Sequence, residues 1–353
     1  MSVSWFSDIE TVKEFPSVLP ATHFDPLSDV SALRAAMKGF GTDEHALIDI
    51  LCQRSNDQRQ SIMELYGRIV TRPLIADLKS ELSGNFKHVM VGLMFPTNFY
   101  CAKQLHKAMK GIVRTKEDVL VEILCSRPYE EIEKIAAAYQ SSYGTALIED
   151  VKKGTSGTFR QLLIMTLQKM TDQSNGFGDC AYDPVKAKEK AKILYKGERK
   201  IETNVNVFLD IFGFAVQRRR QVTIIFHEYE KISGKTIEQL MKSKLSGAVL
   251  NGLLTIVKTI RNRPAYFAER LKIAISGWGM DNDTLIRIIL SRCEIDLTNI
   301  MYEYECMYGK ALFDAVKEDT SGYYRRSLLT LLGIEPLVRM NSSSCSSCNV
   351  SCV

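Results

Sequence analysis

The chain has 353 residues, of which 45% are apolar and 25% are charged, a composition typical of a globular protein with a large core. No run of 18 apolar residues appears, which excludes a membrane-spanning helix. The net charge of +5 is compatible with anionic partners but does not indicate a protein that binds a specific nucleic acid.

The N-terminal stretch 1–22 shows little periodicity and contains two prolines, so we predict a tail there. It carries acidic residues early and has no apolar h-region, which predicts that no secretory signal is present. Six of the nine cysteines are scattered through helical patterns, as expected of free core cysteines. We therefore expect a reduced, cytoplasmic protein.

Beyond residue 22 the sequence repeats itself. A Ser-Gly pair begins at Ser83, Ser156, Ser246 and Ser321, which gives intervals of 73, 90 and 75 residues. Within the first repeat the apolar residues follow helical spacing, broken by turn signals such as Gly39-Phe40-Gly41 and Arg72-Pro73. No sustained strand pattern occurs. The sequence predicts an all-α array of four repeats with about five short helices each.

The predicted repeats are joined and flanked by stretches of different composition. A polar, turn-rich segment follows the second repeat, and a low-complexity Ser/Cys-rich segment ends the chain. The predicted divisions are an N-terminal tail (1–22), repeat 1 (23–95), repeat 2 (96–168), a linker (169–185), repeat 3 (186–257), repeat 4 (258–333) and a C-terminal tail (334–353).

Two Gly-x-Gly turns stand at the same distance from an acidic residue. Gly41 precedes Glu81 by 40 residues, and Gly279 precedes Asp319 by 40 residues. Glycine allows dihedral angles that direct successive backbone carbonyls toward one point. Calcium prefers six to eight oxygen ligands from carbonyls, carboxylates and water. The repeated spacing therefore predicts one kind of calcium site, built twice and completed by a lipid phosphate.

Each turn has a large aromatic residue between its glycines: Phe40 in one and Trp278 in the other. Aromatic side chains are favoured in the interfacial region of a bilayer. We predict that both contact the membrane.

These stretches resemble the annexins. The matching segments are MKGFGTDE with KSELSG, ISGWGMDND with KEDTSG, and IRNRPAYFAERLKIAISGWG, and the resemblance covers residues 23–333. It implies four five-helix repeats arranged as a curved disc. It also implies calcium sites on the convex face and reversible binding to anionic phospholipid membranes, such as those rich in phosphatidylserine.

The resemblance also implies the metal ligands. In repeat 1 these are the carbonyls of Met37, Gly39 and Gly41 with the Glu81 carboxylate, and in repeat 4 they are Ile275, Gly277, Gly279 and Asp319. A weaker adjoining site would use Thr42 and Glu44. In repeat 4 Met280 replaces the usual threonine, which makes the weaker site doubtful there.

Repeats 2 and 3 depart from the pattern in both halves of the site. Repeat 2 has a loop that is one residue longer and Gly154 at the acid position, while repeat 3 has Glu202 and Lys244 at the glycine and acid positions. We expect no high-coordination calcium site in either repeat. The cations near these loops form a hypothetical headgroup-binding set that needs no calcium: Arg114, Lys152, Lys153, Lys242 and Lys244.

No catalytic motif is present, so we predict a binding protein and not an enzyme. Two alternatives remain open. One is a helical-repeat scaffold with little calcium dependence, and the other is an exported surface protein that binds proteins or acidic glycans. The N-terminal tail is a further candidate for binding a protein partner. The main expectation is a cytoplasmic protein that reaches membranes peripherally when calcium rises.

Overall fold

The structure is a computed structural model that describes residues 13–39, 41–111, 115–169, 183–198, 205–276 and 279–333. These residues form nineteen α-helices and one short 3-10 helix, and no strand occurs among them. This confirms the all-α prediction. Within the same ranges, no helix is both long enough and apolar enough to cross a bilayer.

The first ten helices fall into two groups of five. The first group comprises α1 (Pro26–Ala36), α2 (Glu44–Leu51), α3 (Asn56–Val70), α4 (Leu74–Glu81) and α5 (Gly84–Leu93). The second group comprises α6 (Thr97–Met109), α7 (Glu117–Leu124), α8 (Tyr129–Tyr143), α9 (Leu147–Gly154) and α10 (Gly157–Leu167).

The second half repeats this order with one fusion. Its helices are α11 (Pro184–Glu198), α12 (Val205–Phe212), α13 (Arg219–Ser233), α14 (Ile237–Lys244), α15 (Gly247–Ser276), α16 (Asn282–Arg292), α17 (Leu297–Tyr308), α18 (Leu312–Asp319) and α19 (Gly322–Leu332). The long α15 is two helices joined at a kink, where Asn262 has extended dihedral angles and Pro264 follows. The repeat boundaries drawn from the sequence stay a prediction.

Local sequence signals explain several helix ends. Ser55 and Gln58 form a capping box at the start of α3, and Thr236 and Gln239 do so at α14. The third helix of each repeat ends on a residue in the left-handed region. That residue is Gly144, Gly234 and Gly309 in three repeats but Thr71, with φ 58°, in the first.

A buried tyrosine marks each repeat. Tyr66, Tyr139, Tyr229 and Tyr304 recur at the same intervals as the Ser-Gly pairs, and none is more than 1% exposed. The hydroxyl of Tyr66 donates to Asp77 over 2.7 Å, and that of Tyr139 donates to Asp150 over 2.7 Å. Burial of a phenol requires such a partner. The equal spacing and equal bonding show that these two repeats share one internal design.

The described chain packs as two units. The middle unit contains residues 96–267, and the terminal unit contains residues 14–95 and 268–333. In the terminal unit the first and last repeats are held together by polar contacts. Glu294 accepts a bond from the backbone N–H of Asn56 over 2.8 Å and pairs with the buried Arg59. Arg59 also donates to the Leu93 carbonyl over 2.9 Å, so its charge is well satisfied.

Residues 14–22 of the predicted N-terminal tail also lie in the terminal unit. The Ser17 hydroxyl donates to the Leu331 carbonyl over 2.6 Å, and the Ser17 N–H donates to the Cys293 carbonyl over 2.8 Å. The Gln58 side chain bonds both the N–H and the carbonyl of Ala21 at 2.9 Å. Residues 15–21 are therefore bonded to both repeats of this unit.

Candidate metal centres

The Gly-x-Gly loops of repeats 1 and 4 close in the same way. The N–H of Asp43 donates to the Ala36 carbonyl over 2.9 Å, and the N–H of Asp281 donates to the Ala274 carbonyl over 2.9 Å. Each aspartate also caps the helix that follows, because its side chain accepts from a backbone N–H three residues on, at 3.1 Å and 3.0 Å. The two loops are thus anchored alike at both ends.

Glycine is required inside these loops. Gly39, Gly41 and Gly279 have φ angles of 110°, 87° and 86°, in the region that L-residues rarely adopt. A Cβ atom at any of the three would have no neighbour within 4 Å, so the surrounding space is open. The backbone at these turns is therefore exposed to an approaching ion or headgroup.

In repeat 1 the structure brings the predicted carboxylate to the loop. Glu81 is the last residue of α4, and its Oε2 accepts a hydrogen bond from the Thr42 hydroxyl over 3.1 Å. Asp319 is likewise the last residue of α18 and is exposed. Met280 replaces threonine in that repeat, and no described residue donates a hydrogen bond to Asp319. The two sites therefore differ in how their carboxylate is held.

The candidate carbonyl ligands have unused acceptor capacity. Within the described ranges, no hydrogen bond is donated to the carbonyl oxygens of Met37, Gly39, Gly41, Ile275 or Gly279. Carbonyl and carboxylate oxygens are hard donors of the kind that suits calcium. Among all the residues that the structure describes, no group of three or more His, Cys, Asp or Glu side chains could hold a metal ion. A metal at these loops would thus depend on backbone oxygen.

Four candidate site residues lie outside the described residues, namely Phe40, Gly277, Trp278 and Arg114, and so does Glu202 at the glycine position of repeat 3.

The annexin family model matches residues 28–93, 100–166, 189–256 and 266–331, which make up most of the chain. The chain belongs to the annexin family. Annexin A4 of Homo sapiens is 43% identical over 318 residues, which cover 90% of this chain and 97% of that protein. Annexins bind phospholipids in a calcium-dependent way, as the sequence resemblance implied.

Two solved annexin structures show the same fold. The structure of annexin III has a TM-score of 0.86 and 41% sequence identity, and the match covers 92% of this chain and 98% of that one. A calcium-bound annexin (Sm)1 has a TM-score of 0.76 and 32% identity, covering 91% of this chain and 93% of that one. Calcium is therefore a ligand within the family.

The repeat 2 loop departs from the annexin pattern in its geometry as well as in its sequence. Its closing bond joins the N–H of Lys116 to the Ala108 carbonyl over 3.1 Å, which encloses one residue more than the loops of repeats 1 and 4. The Thr115 hydroxyl, which corresponds to that of Thr42, donates to the backbone carbonyl of Gly154 over 2.7 Å. A main-chain oxygen thus replaces the carboxylate as the partner of this threonine.

Repeat 3 has a basic residue at the position where repeats 1 and 4 have an acidic one. Lys244 stands at the acid position, and the carboxylate is instead supplied by Glu198 at the end of α11. Glu198 accepts from Lys235 over 2.6 Å and from the Tyr229 hydroxyl over 2.8 Å. The hydrogen bond from Lys235, followed by that from Tyr229, lowers the pKa of Glu198 below its ordinary value. The negative charge of this carboxylate is therefore compensated by the positive charge of Lys235.

Two of the lysines predicted to bind headgroups form ion pairs within their own helix. Lys152 pairs with Glu149 over 2.8 Å, and Lys153 lies 3.8 Å from Asp150 on the same helix. Lys242 is exposed at the end of α14. The pairing reduces the charge that repeat 2 can offer to an anionic surface.

Sequence reasoning did not foresee two features of these sites. The hydrogen bond from Thr42 to Glu81 was missed because threonine was considered only as a metal ligand. The contact between Glu198 and Tyr229 was missed because the two residues are 31 positions apart and belong to different helices. The sequence did offer a signal for the contact of Glu198, because Lys235 and Glu198 are opposite charges in the repeat whose acid position is taken by Lys244.

Proposed function

We propose that the chain binds anionic phospholipid membranes reversibly through two calcium loops, those of repeats 1 and 4, and that it is not an enzyme. The observation that carries this proposal is the hydrogen bond between Thr42 and Glu81, which joins the two halves of the repeat 1 site. The identical closure of the repeat 4 loop supports a second site of the same type.

The ligand sets follow from the loops. In repeat 1 the carbonyls of Met37, Gly39 and Gly41 would hold the ion with the Glu81 carboxylate. In repeat 4 the corresponding residues are Ile275, Gly277, Gly279 and Asp319. Thr42 and Glu44 would form a weaker adjoining site. When bound, calcium joins these protein oxygens to a lipid phosphate, because about two of its coordination positions stay open.

The protein's own residues set the strength of attachment. Phe40 and Trp278 would enter the interfacial region beside each loop, where aromatic side chains are favoured. Both loops belong to the terminal unit, so binding at one raises the effective lipid concentration at the other. Two weak sites can then give firm attachment that is lost when calcium falls.

In a cell, this mechanism gives a cytoplasmic protein that becomes a peripheral membrane protein when calcium rises. A helical scaffold with little calcium dependence is the alternative. The loop carbonyls that accept no hydrogen bond from any described residue favour the calcium-dependent function, because a scaffold does not require open acceptors at these turns.

Sedimentation with phosphatidylserine vesicles across a calcium titration tests the proposal. We expect the wild-type protein to pellet only with calcium, and Glu81→Gln/Asp319→Asn to stay in solution. The matched control is Glu64→Gln/Asp314→Asn, which removes the same charge from exposed positions away from the loops and should pellet like the wild type. Equal pelleting of wild type and the site variant would place the binding surface elsewhere. Absence of pelleting by the wild type would favour the scaffold.

A further inference from the structure

Three aromatic rings meet at the surface of the terminal unit. The ring of Tyr323 lies 5.2 Å from that of His45, edge to face, and 5.9 Å from that of Phe86. Tyr323 is 39% exposed, and His45 is exposed as well. The edge-to-face geometry is a favourable one for aromatic pairs, so the exposed tyrosine is held in place by its neighbours.

The rings stand at the helix ends that carry the candidate metal sites. His45 is the second residue of α2, directly after the Thr42–Glu44 stretch. Phe86 lies in the first turn of α5, which begins three residues after Glu81. Tyr323 lies in the first turn of α19, which begins three residues after Asp319. The cluster therefore brings together the starts of the three helices that follow Thr42, Glu81 and Asp319 in the chain.

The positions of these helix ends are fixed by further contacts. Helix α19 packs against α2 and α5, and Arg326 of α19 pairs with Asp49 of α2 over 3.1 Å. This packing fixes the positions of the three helix ends that carry the rings.

The repeat itself does not require an aromatic residue at the positions of Tyr323 and His45, whereas the Phe86 position is also aromatic in repeats 2 and 4. The positions equivalent to Tyr323 in repeats 1, 2 and 3 are Asn85, Thr158 and Ala248. The positions equivalent to His45 in repeats 2 and 4 are Asp118 and Asp283. Among the described residues, the contact between the exposed rings of Tyr323 and His45 joins the two repeats that carry the candidate metal sites. Because the repeat fold does not explain these two aromatic residues, a contact made by this surface is the better explanation.

We propose that Tyr323, supported by His45 and Phe86, is a third aromatic membrane contact of the terminal unit and fits the interfacial region of an anionic phospholipid bilayer. This inference rests on the proposed function. Tyrosine suits that region because its ring is apolar and its hydroxyl can bond to headgroups or water. Within the described residues the Tyr323 hydroxyl has no hydrogen-bond partner, so it is available for one. Because the ring is already ordered, little side-chain entropy is lost when it meets lipid.

The test compares Tyr323→Ser with Tyr302→Ser. Tyr302 is 43% exposed and lies in the middle of α17, away from both loops. We expect Tyr323→Ser to bind phosphatidylserine vesicles about three- to tenfold more weakly at a fixed calcium concentration. Tyr302→Ser should bind like the wild type, and Tyr323→Trp should retain or exceed wild-type binding. Thermal unfolding of each variant checks that the fold is intact.

A second measurement does not depend on affinity. The photo-crosslinking amino acid p-benzoylphenylalanine is placed at position 323 or at position 302, and the protein is irradiated with the same vesicles and calcium. We expect lipid adducts at 323 and few at 302. Equal adduct yields, or wild-type binding by Tyr323→Ser, would overturn the inference while leaving calcium-dependent pelleting in place. A wild type that does not pellet would overturn both the inference and the function on which it rests.

Discussion

The terminal unit and the middle unit use the same helical repeat for different chemistry. In the terminal unit both Gly-x-Gly loops close over the same number of residues, and Thr42 bonds the Glu81 carboxylate. In the middle unit the corresponding loops have lost both the glycine and the acid, and Gly154 and Lys244 stand at the acid positions. Loop carbonyls without the carboxylate, or the carboxylate without the loop, would supply too few oxygen ligands to bind calcium well. This explains why the loop glycine and the acidic residue are present together in repeats 1 and 4 and absent together in repeats 2 and 3.

The largest effect is expected from the loop glycines. Gly41→Ala/Gly279→Ala forces a Cβ into a backbone region that costs about 1–2 kcal/mol at each residue. The loops should relax away from the geometry that presents their carbonyls, and the calcium needed for vesicle binding should rise at least about tenfold. Vesicle sedimentation across a calcium titration measures the change.

The control for the glycine variant is Gly67→Ala. Gly67 lies in α3, has no positive φ, and has open space where the alanine Cβ would stand. Alanine there should leave calcium binding unchanged and stabilise the helix slightly. If the loop variant binds as well as this control, the glycines have no role in presenting the carbonyls.

A smaller effect is expected at Thr42, which distinguishes the candidate site of repeat 1 from that of repeat 4. Thr42→Val removes the hydroxyl that holds Glu81, so the carboxylate must be ordered when the ion binds. We expect about a threefold loss of calcium affinity at the repeat 1 site, measured by calorimetry in the Asp319→Asn background.

The reciprocal change is Met280→Thr. In the Glu81→Gln background it should strengthen the repeat 4 site by a similar factor, because a hydroxyl would then stand where Thr42 stands in repeat 1. If neither substitution alters calcium affinity, the Thr42–Glu81 bond is incidental to metal binding.

The sequence predicted the helices and the number of repeats, because these depend on apolar periodicity and on fixed spacing. The pairing of each loop with its acid stays a prediction, supported in repeat 1 by the bond between Thr42 and Glu81. The sequence could not show that Tyr323 contacts His45, since these residues are 278 positions apart and belong to different repeats. It also could not show that Lys152 is paired with Glu149, because the long side chain of an exposed lysine can reach several acidic neighbours. Contacts between repeats and ion pairs of long side chains require coordinates.

The cationic set of the middle unit is expected to matter less than the threonine. We propose that substituting Lys152, Lys153, Lys242 and Lys244 by Gln weakens calcium-free binding to anionic vesicles about twofold at low ionic strength, and not at high ionic strength. The small size follows from the pairs that Lys152 and Lys153 form within α9. Unchanged binding at every salt concentration would remove these residues from the membrane surface.

The smallest effect concerns the ion pair between Lys235 and Glu198 in repeat 3. The pKa of Glu198 is lowered chiefly by the hydrogen bond from Lys235, so the charged carboxylate stabilises the folded middle unit. For a carboxyl with a lowered folded-state pKa, this stability is complete above the ordinary value of 4.5 and is lost as pH falls through the lower pKa. Glu198→Gln should therefore unfold at lower temperature than the wild type at pH 7, and the difference should vanish in acid. Adding calcium should not restore the variant, because no metal site is expected there. If the two proteins differ equally at all pH values, Glu198 acts through packing and not through its charge.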